Sequence, residues 1–186
     1  TNRSSSGERV ANTESTPRGA MEVSPTTLRG AMEGSSPTQQ PRGAIAYLAQ
    51  GVRHSTYGRD SLALLRRSLS LLYENYAAAD AADTILFHRD DSDFPPAARD
   101  SVLAAHSRRR LRFERIPEAD WSLPPALLHT NRSSWYGWPK FALGYRFMCR
   151  WWTVGIWPWL AARGYTHLFR LDEDSFLLSP LRGDVF

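Results

Sequence analysis

Three consecutive acids, Asp172-Glu173-Asp174, follow directly on the apolar run His167-Leu-Phe-Arg-Leu171. Adjacent carboxylates repel one another unless something positive is held between them. A hard divalent cation, Mg²⁺ or Mn²⁺, suits such a group because it prefers oxygen ligands and bridges to a diphosphate. The run before the acids reads as a buried strand. In an open parallel sheet, ligands bind beyond the C-terminal ends of the strands. An apolar strand that empties into acids therefore sets fixed negative charge at that edge. Arg170 shares the facing of Asp172, because side chains alternate along a strand. It can contact a phosphate, contact the acids, or make a structural ion pair. A solvated acidic cap is the plainer reading of the whole turn.

Other reactive side chains carry less. The five histidines, at 54, 88, 106, 129 and 167, form no pair at metal-ligand spacing and are read as structural. Cys149 lies in an apolar helical stretch with no general base evident, and is read as a buried thiol. Arg108-Arg109-Arg110 with Arg112 reads as a solvated basic face beside a strand. Asn2-Arg-Ser4 and Asn131-Arg-Ser133 are glycosylation sequons, which suit a secreted or lumenal domain. All seven tryptophans fall between positions 121 and 159, forming either an aromatic core wall or a wall of a binding cleft.

The elements that must position these residues are legible in outline. Ala44-Ile-Ala-Tyr-Leu48 reads as a short buried strand. Asp60 or Ser61 can cap a helix whose apolar residues Leu62, Leu65, Leu69, Leu72 and Tyr76 recur at spacings of three and four. Thr84-Ile-Leu-Phe-His88 is a second strand, ending in the polar turn Arg89–Asp93. A second helix falls within Ala97–Ser107, followed by an alternating strand, Leu111–Ile116. The stretch Pro117–Pro139 is rich in loop residues. A helix over Phe141–Ala162 follows, kinked or broken near Pro158. Strands alternating with helices of this length predict βαβ units and a mostly parallel sheet flanked by helices.

Residues 1–43 differ in kind. They hold 22 Ser, Thr, Pro or Gly, eight Ala, Val, Leu or Met, and no aromatic residue. They also carry a loose repeat: Arg18-Gly-Ala-Met-Glu22, Arg29-Gly-Ala-Met-Glu33 and Arg42-Gly-Ala44. Such a composition cannot offset the entropy of ordering, so the stretch is expected to be a disordered arm or stem, with the folded part at 44–186. The chain begins at Thr1 rather than Met, and the expectation is that its natural N-terminus lies further upstream.

Composition narrows the classes. One cysteine excludes an intrachain disulfide framework and any multi-cysteine zinc site. The twelve-residue stretch Trp151–Ala162 falls short of the roughly 20 apolar residues of a bilayer-spanning helix. Net charge is +4, from 22 Arg and one Lys against 19 acids, but no nucleic-acid-binding motif accompanies it. A nucleic-acid partner is therefore not expected.

Against this background, Tyr145-Arg-Phe-Met-Cys-Arg150-Trp-Trp resembles the Tyr-Arg-x-Met-Cys-Arg-aromatic-aromatic signature of the yeast-type Golgi α-1,2-mannosyltransferases, glycosyltransferase family 15. The interval from Arg150 to Arg170 is similar, without a gap, to the family's interval to its Arg-Val-Glu-Pro-Asp motif. Ile116-Pro-Glu-Ala-Asp-Trp121-Ser-Leu-Pro124 resembles its Ile-Pro-x-x-x-Trp-x-x-Pro segment. More loosely, Thr84–Asp91 resembles a strand ending in Phe-Leu-Asn-Asp. These blocks cover roughly Ala44 to Phe186.

The resemblance implies a GT-A, Rossmann-like fold, of which this span is the N-terminal, donor-binding part. It also implies transfer of mannose from GDP-mannose to a mannose-containing glycan or glycoprotein, in α-1,2 linkage with retention and with Mn²⁺ (or Mg²⁺). Asp-x-Asp at a strand end is the pattern such enzymes use to hold the metal that neutralises a leaving nucleoside diphosphate. Carried over by position, Asp172 would ligate the metal and Asp174 would support it as a second metal residue or bind the sugar, Arg170 would fall in the donor or acceptor pocket, and Tyr145 would lie near the acceptor. Arg150 either binds acidic groups or fixes its helix to the sheet. Family members are type II membrane proteins of the Golgi lumen, so any membrane anchor is expected outside this span. The catalytic glutamate and a histidine metal ligand are expected beyond Phe186, which would leave this span alone inactive.

The chain departs from the family pattern at three points. Gln50 follows Leu48-Ala49 where a donor-binding arginine is usual, Asp172 replaces a glutamate, and Glu173 replaces a proline. The rival reading is a non-catalytic carbohydrate-binding or pseudoenzyme module of the same fold, with tryptophans stacking on sugars.

Overall fold

The computed structural model describes residues 41–52 and 58–186. The arm expected over 1–43 therefore lies outside the described residues up to position 40. The sequon at Asn2 and His54 also lie outside them.

Four apolar runs become four strands: β1 (Gly43–Leu48), β2 (Asp83–His88), β3 (Leu111–Arg115) and β4 (His167–Asp172). Every pairing is parallel and the spatial order is β3-β2-β1-β4. β2 is buried over its whole length, as a central strand covered on both faces must be. Alternation divides the core in two. Ile45, Tyr47, Leu86 and Leu171 belong to one cluster, and Ala44, Ala46, Ile85 and Phe87 to the other.

The first cluster is closed by α1 (Ser61–Asn75) and α2 (Pro96–Ala105). Asp60 caps α1, its Oδ1 accepting from the Ala63 N–H at 2.9 Å. Leu65, Leu69 and Leu72 then bury one stripe against β1 and β2. The second cluster is closed by α3 (Leu143–Arg150), a π-helical turn (Trp151–Gly155) and α4 (Ile156–Ala161). There Phe87 meets Trp151 and Trp159 edge-on, with ring centroids 5.0 and 4.9 Å apart. Each such pair contributes about 0.5–1.5 kcal/mol beyond area burial.

Two expectations change. The long helix is not broken at Pro158 but re-registered before it, where the Ile156 N–H bonds the Trp151 carbonyl five residues back. Pro158 has no N–H for the carbonyl four residues earlier and its ring crowds it, so the slack is taken up in the preceding turn. The helix also starts at Leu143, after Phe141. The second change concerns β4. Of its residues only Leu171 is buried, because among the described residues β4 pairs with β1 alone and forms an edge.

The topology decides where a ligand can sit. The chain leaves β1 toward the α1 face and returns to β4 from the opposite, α4 face. Strand order therefore reverses between β1 and β4. In an α/β sheet, a crevice opens at the C-terminal ends of the two strands flanking such a reversal.

Candidate functional site

The acidic turn lies at that point. β4 runs beside β1 with Asp172 opposite Leu48, so Asp172-Glu173-Asp174 and Ala49-Gln50-Gly51 leave the sheet side by side. The turn is closed by the Ser175 N–H donating to the Asp172 carbonyl at 2.9 Å, and the Asp172 N–H donates to Ser175 Oγ at 3.0 Å. Ser68 on α1 anchors it, donating from Oγ to the Ser175 carbonyl at 2.5 Å. That uses the only Ser68 hydroxyl proton, so the Tyr47 hydroxyl, 3.1 Å away, is the donor to Ser68 Oγ. Burial pushes the Tyr47 phenol well above its ordinary pKa, consistent with its role as a permanent donor.

Each acid meets a different donor, an arginine for Asp172 and Asp174 and a backbone N–H for Glu173. Arg170 donates to Asp172 Oδ1 at 3.0 Å and lies 4.7 Å over the ring of Trp152, the second residue of the π turn. Glu173 Oε2 accepts from the Gln50 backbone N–H at 3.3 Å. Asp174 Oδ2 pairs with Arg59 at 3.2 Å. Gly51 is fixed in turn by its N–H to the Asp93 carbonyl, 2.8 Å, and a Cβ there would meet the buried Phe94 ring at 2.8 Å. The side chains of Asp172 and Asp174 are 55% and 48% exposed. Ion pairs so open to solvent contribute about 0–1 kcal/mol and yield readily to a stronger ligand.

Beside the turn lies a groove of about 520 Å³ with Arg59, Arg67, Asp174 and Phe176 in its walls. No periodicity or motif marks Arg59 or Arg67 in the sequence. They matter only because α1 begins where β4 ends. The position of Gln50 is likewise informative: its backbone, not its side chain, meets the acidic turn.

The other expected site residues disperse. Tyr145 is exposed on α3, stacked on Phe141 at 5.0 Å. Arg150 donates to the Ser122 carbonyl at 2.9 Å, which ties α3 to the loop after β3 and not to the sheet. Among the described residues, neither is hydrogen-bonded or ion-paired to the acids. Trp151, Trp152 and Trp159 are buried in the second core cluster, so for these three the core-wall reading holds. Cys149 is half-buried rather than buried. The basic run is not simply a solvated face. Arg109 pairs with Asp80, while Arg110 and Arg112 join Arg42 around Asp83. His88 is buried, with Nδ1 3.2 Å from the Asp90 carbonyl oxygen. Asp90, hydrogen-bonded by Ser92 and Asp93 and held by Arg89, has its pKa lowered to about 2 and organises its own turn.

Among the described residues, no three His, Cys, Asp or Glu side chains form a metal-binding group. Two carboxylates from one turn still suit a cation that is shared with a substrate. Mg²⁺-type sites take one or two carboxylates and complete their shell with phosphate oxygens and water. The donor chemistry of Asp172 and Asp174 fits that arrangement. No family model, curated protein or solved structure matches the chain.

Proposed function

We propose that the chain is the donor-binding part of a metal-dependent glycosyltransferase of GT-A type that uses a nucleotide sugar, most simply GDP-mannose. The observation that carries this reading is the acidic turn at the C-terminal end of β4, beside β1, where the strand order reverses. In this reading Asp172 and Asp174 hold Mn²⁺ or Mg²⁺. A bound cation would supply charge neutralisation for a departing diphosphate. Arg170 and Arg59, which pair with the two acids, would supply the positive groups nearest the phosphate oxygens. The likeness of Tyr145–Trp152 to the mannosyltransferase signature supports mannose as the sugar, a mannose-containing glycan as the acceptor and Tyr145 as an acceptor contact. The same likeness supports a lumenal Golgi setting.

Titrating the full chain with GDP, with and without Mn²⁺, tests the reading. GDP is expected to bind only with the metal, and Asp172→Ala is expected to abolish that binding. Equal GDP binding in the variant would remove Asp172 from the metal site.

One observation favours a second reading. Arg170 and Arg59 satisfy Asp172 and Asp174 without any metal. That arrangement suits a non-catalytic carbohydrate-binding module of the same fold. Binding of oligomannose that is indifferent to both GDP and Mn²⁺ would favour it.

A further inference from the structure

A second cavity, of about 390 Å³, opens between α3 and the loop that precedes it, and the acidic turn contributes none of its walls. Leu123, Pro124, Leu127, Trp135 and Phe147 make it apolar, and among the described residues its charged lining is Arg146 and Arg150. Both guanidiniums are held in place by neutral groups. Arg146 Nε donates to the Phe141 carbonyl at 2.9 Å, with its guanidinium 5.2 Å from the centre of the Trp135 ring. Arg150 donates to the Ser122 carbonyl. Among the described residues, no carboxylate lies within ion-pair distance of either.

Carbonyls orient a guanidinium without cancelling its charge. Two such groups, half-buried beside an apolar wall, leave a positive field with no acidic partner among the described residues. A planar fork of donors matches an oxyanion. Apolar walls with a few fixed polar groups are the common make-up of small-molecule sites, and the volume lies within their usual range of about 300–1,000 Å³. At roughly 30 Å³ for each water-sized group, the space takes about a dozen non-hydrogen atoms.

We propose that this cavity binds a small amphiphilic oxyanion, with an alkyl or aryl body against Leu123, Leu127 and Phe147 and a carboxylate or phosphate head on Arg146 and Arg150. The site stands apart from the acidic turn and does not depend on glycosyl transfer. Calorimetric titration of the full chain with decanoate and decyl phosphate, below micelle-forming concentrations, tests it against decanol and decyltrimethylammonium. One-to-one binding is expected for at least one oxyanion, tenfold or more tighter than for decanol, with none for the cation. The two anionic arms decide between carboxylate and phosphate. Leu127→Glu, at an exposed rim position, should weaken oxyanion binding at least tenfold with an unchanged circular dichroism spectrum. Arg150→Met should do the same while sparing the affinity for decanol. Decanol binding as tightly as both oxyanions, no saturable binding of either, or unchanged affinity in Arg150→Met would each overturn the proposal.

Discussion

At the scale of single residues, the acidic turn is held in place before any ligand arrives. Ser68 is buried and sits between the Tyr47 hydroxyl and the Ser175 carbonyl, so one hydroxyl connects β1, α1 and the turn. Replacing it with alanine strands the fully buried Tyr47 hydroxyl without an acceptor. Ser68→Ala is therefore expected to lower unfolding free energy by about 1–3 kcal/mol, measurable by urea denaturation. Tyr47→Phe in the same background should recover part of the loss, since no buried donor then remains. The co-facing of Arg170 and Asp172 follows from the two-residue period of a strand, and the sequence carries it. The pairing of Arg59 with Asp174 and of the Gln50 N–H with Glu173 is not local. It depends on which strands become neighbours, and no spacing in the chain encodes that.

At the scale of elements, α1 could be read from its leucine spacing and its Asp60 cap, because both signals are confined to one helix. The π turn at Trp151–Gly155 could not, since a single i→i−5 register shift has no period of its own. Its geometry does explain Gly155. The backbone there is ordinary helix, but a Cβ would meet the Trp151 ring at 2.7 Å and Asp120 Cγ at 3.2 Å. Trp151 is fully buried against Phe87 and cannot move aside. Gly155→Ala should thus destabilise by about 1–3 kcal/mol through overpacking, outweighing alanine's helix-propensity advantage of about 1 kcal/mol. A thermal melt showing the variant more stable than the parent would contradict this packing. β4 was expected to be buried because its sequence is apolar. Its exposure reflects its position at the sheet edge, which composition does not report.

At the scale of the whole molecule, the alternation of strands and helices made a parallel α/β fold legible, whereas the order β3-β2-β1-β4 emerges only when the two core clusters close on opposite faces. The two ends of the sheet are specialised. At the N-terminal edge, Asp83 opens β2 with its side chain only 6% exposed, pairing with Arg42 at 2.9 Å and Arg110 at 2.8 Å and accepting from the Tyr165 hydroxyl. Burial alone would raise its pKa, but the hydrogen bonds from Tyr165 and Arg42 and the charges of Arg110 and Arg112 outweigh that and hold it below the ordinary carboxylate range. Its stabilisation is therefore complete above the unfolded-state value of about 3.9 and is lost as pH falls through the lower folded-state value. Asp83→Asn is expected to cost about 2 kcal/mol at pH 7, with the gap to the parent closing below about pH 4. A gap independent of pH would mean that the charge of Asp83 is not what stabilises this edge. The C-terminal edge carries the acids, where the proposed site would hold a divalent cation together with a diphosphate. Electron paramagnetic resonance of Mn²⁺ added to the full chain with GDP tests it most directly. The signal of free Mn²⁺ should fall by more than in GDP alone, and the extra loss should vanish in Asp172→Asn. An Mn²⁺ signal that the protein leaves unchanged in the presence of GDP would contradict the account.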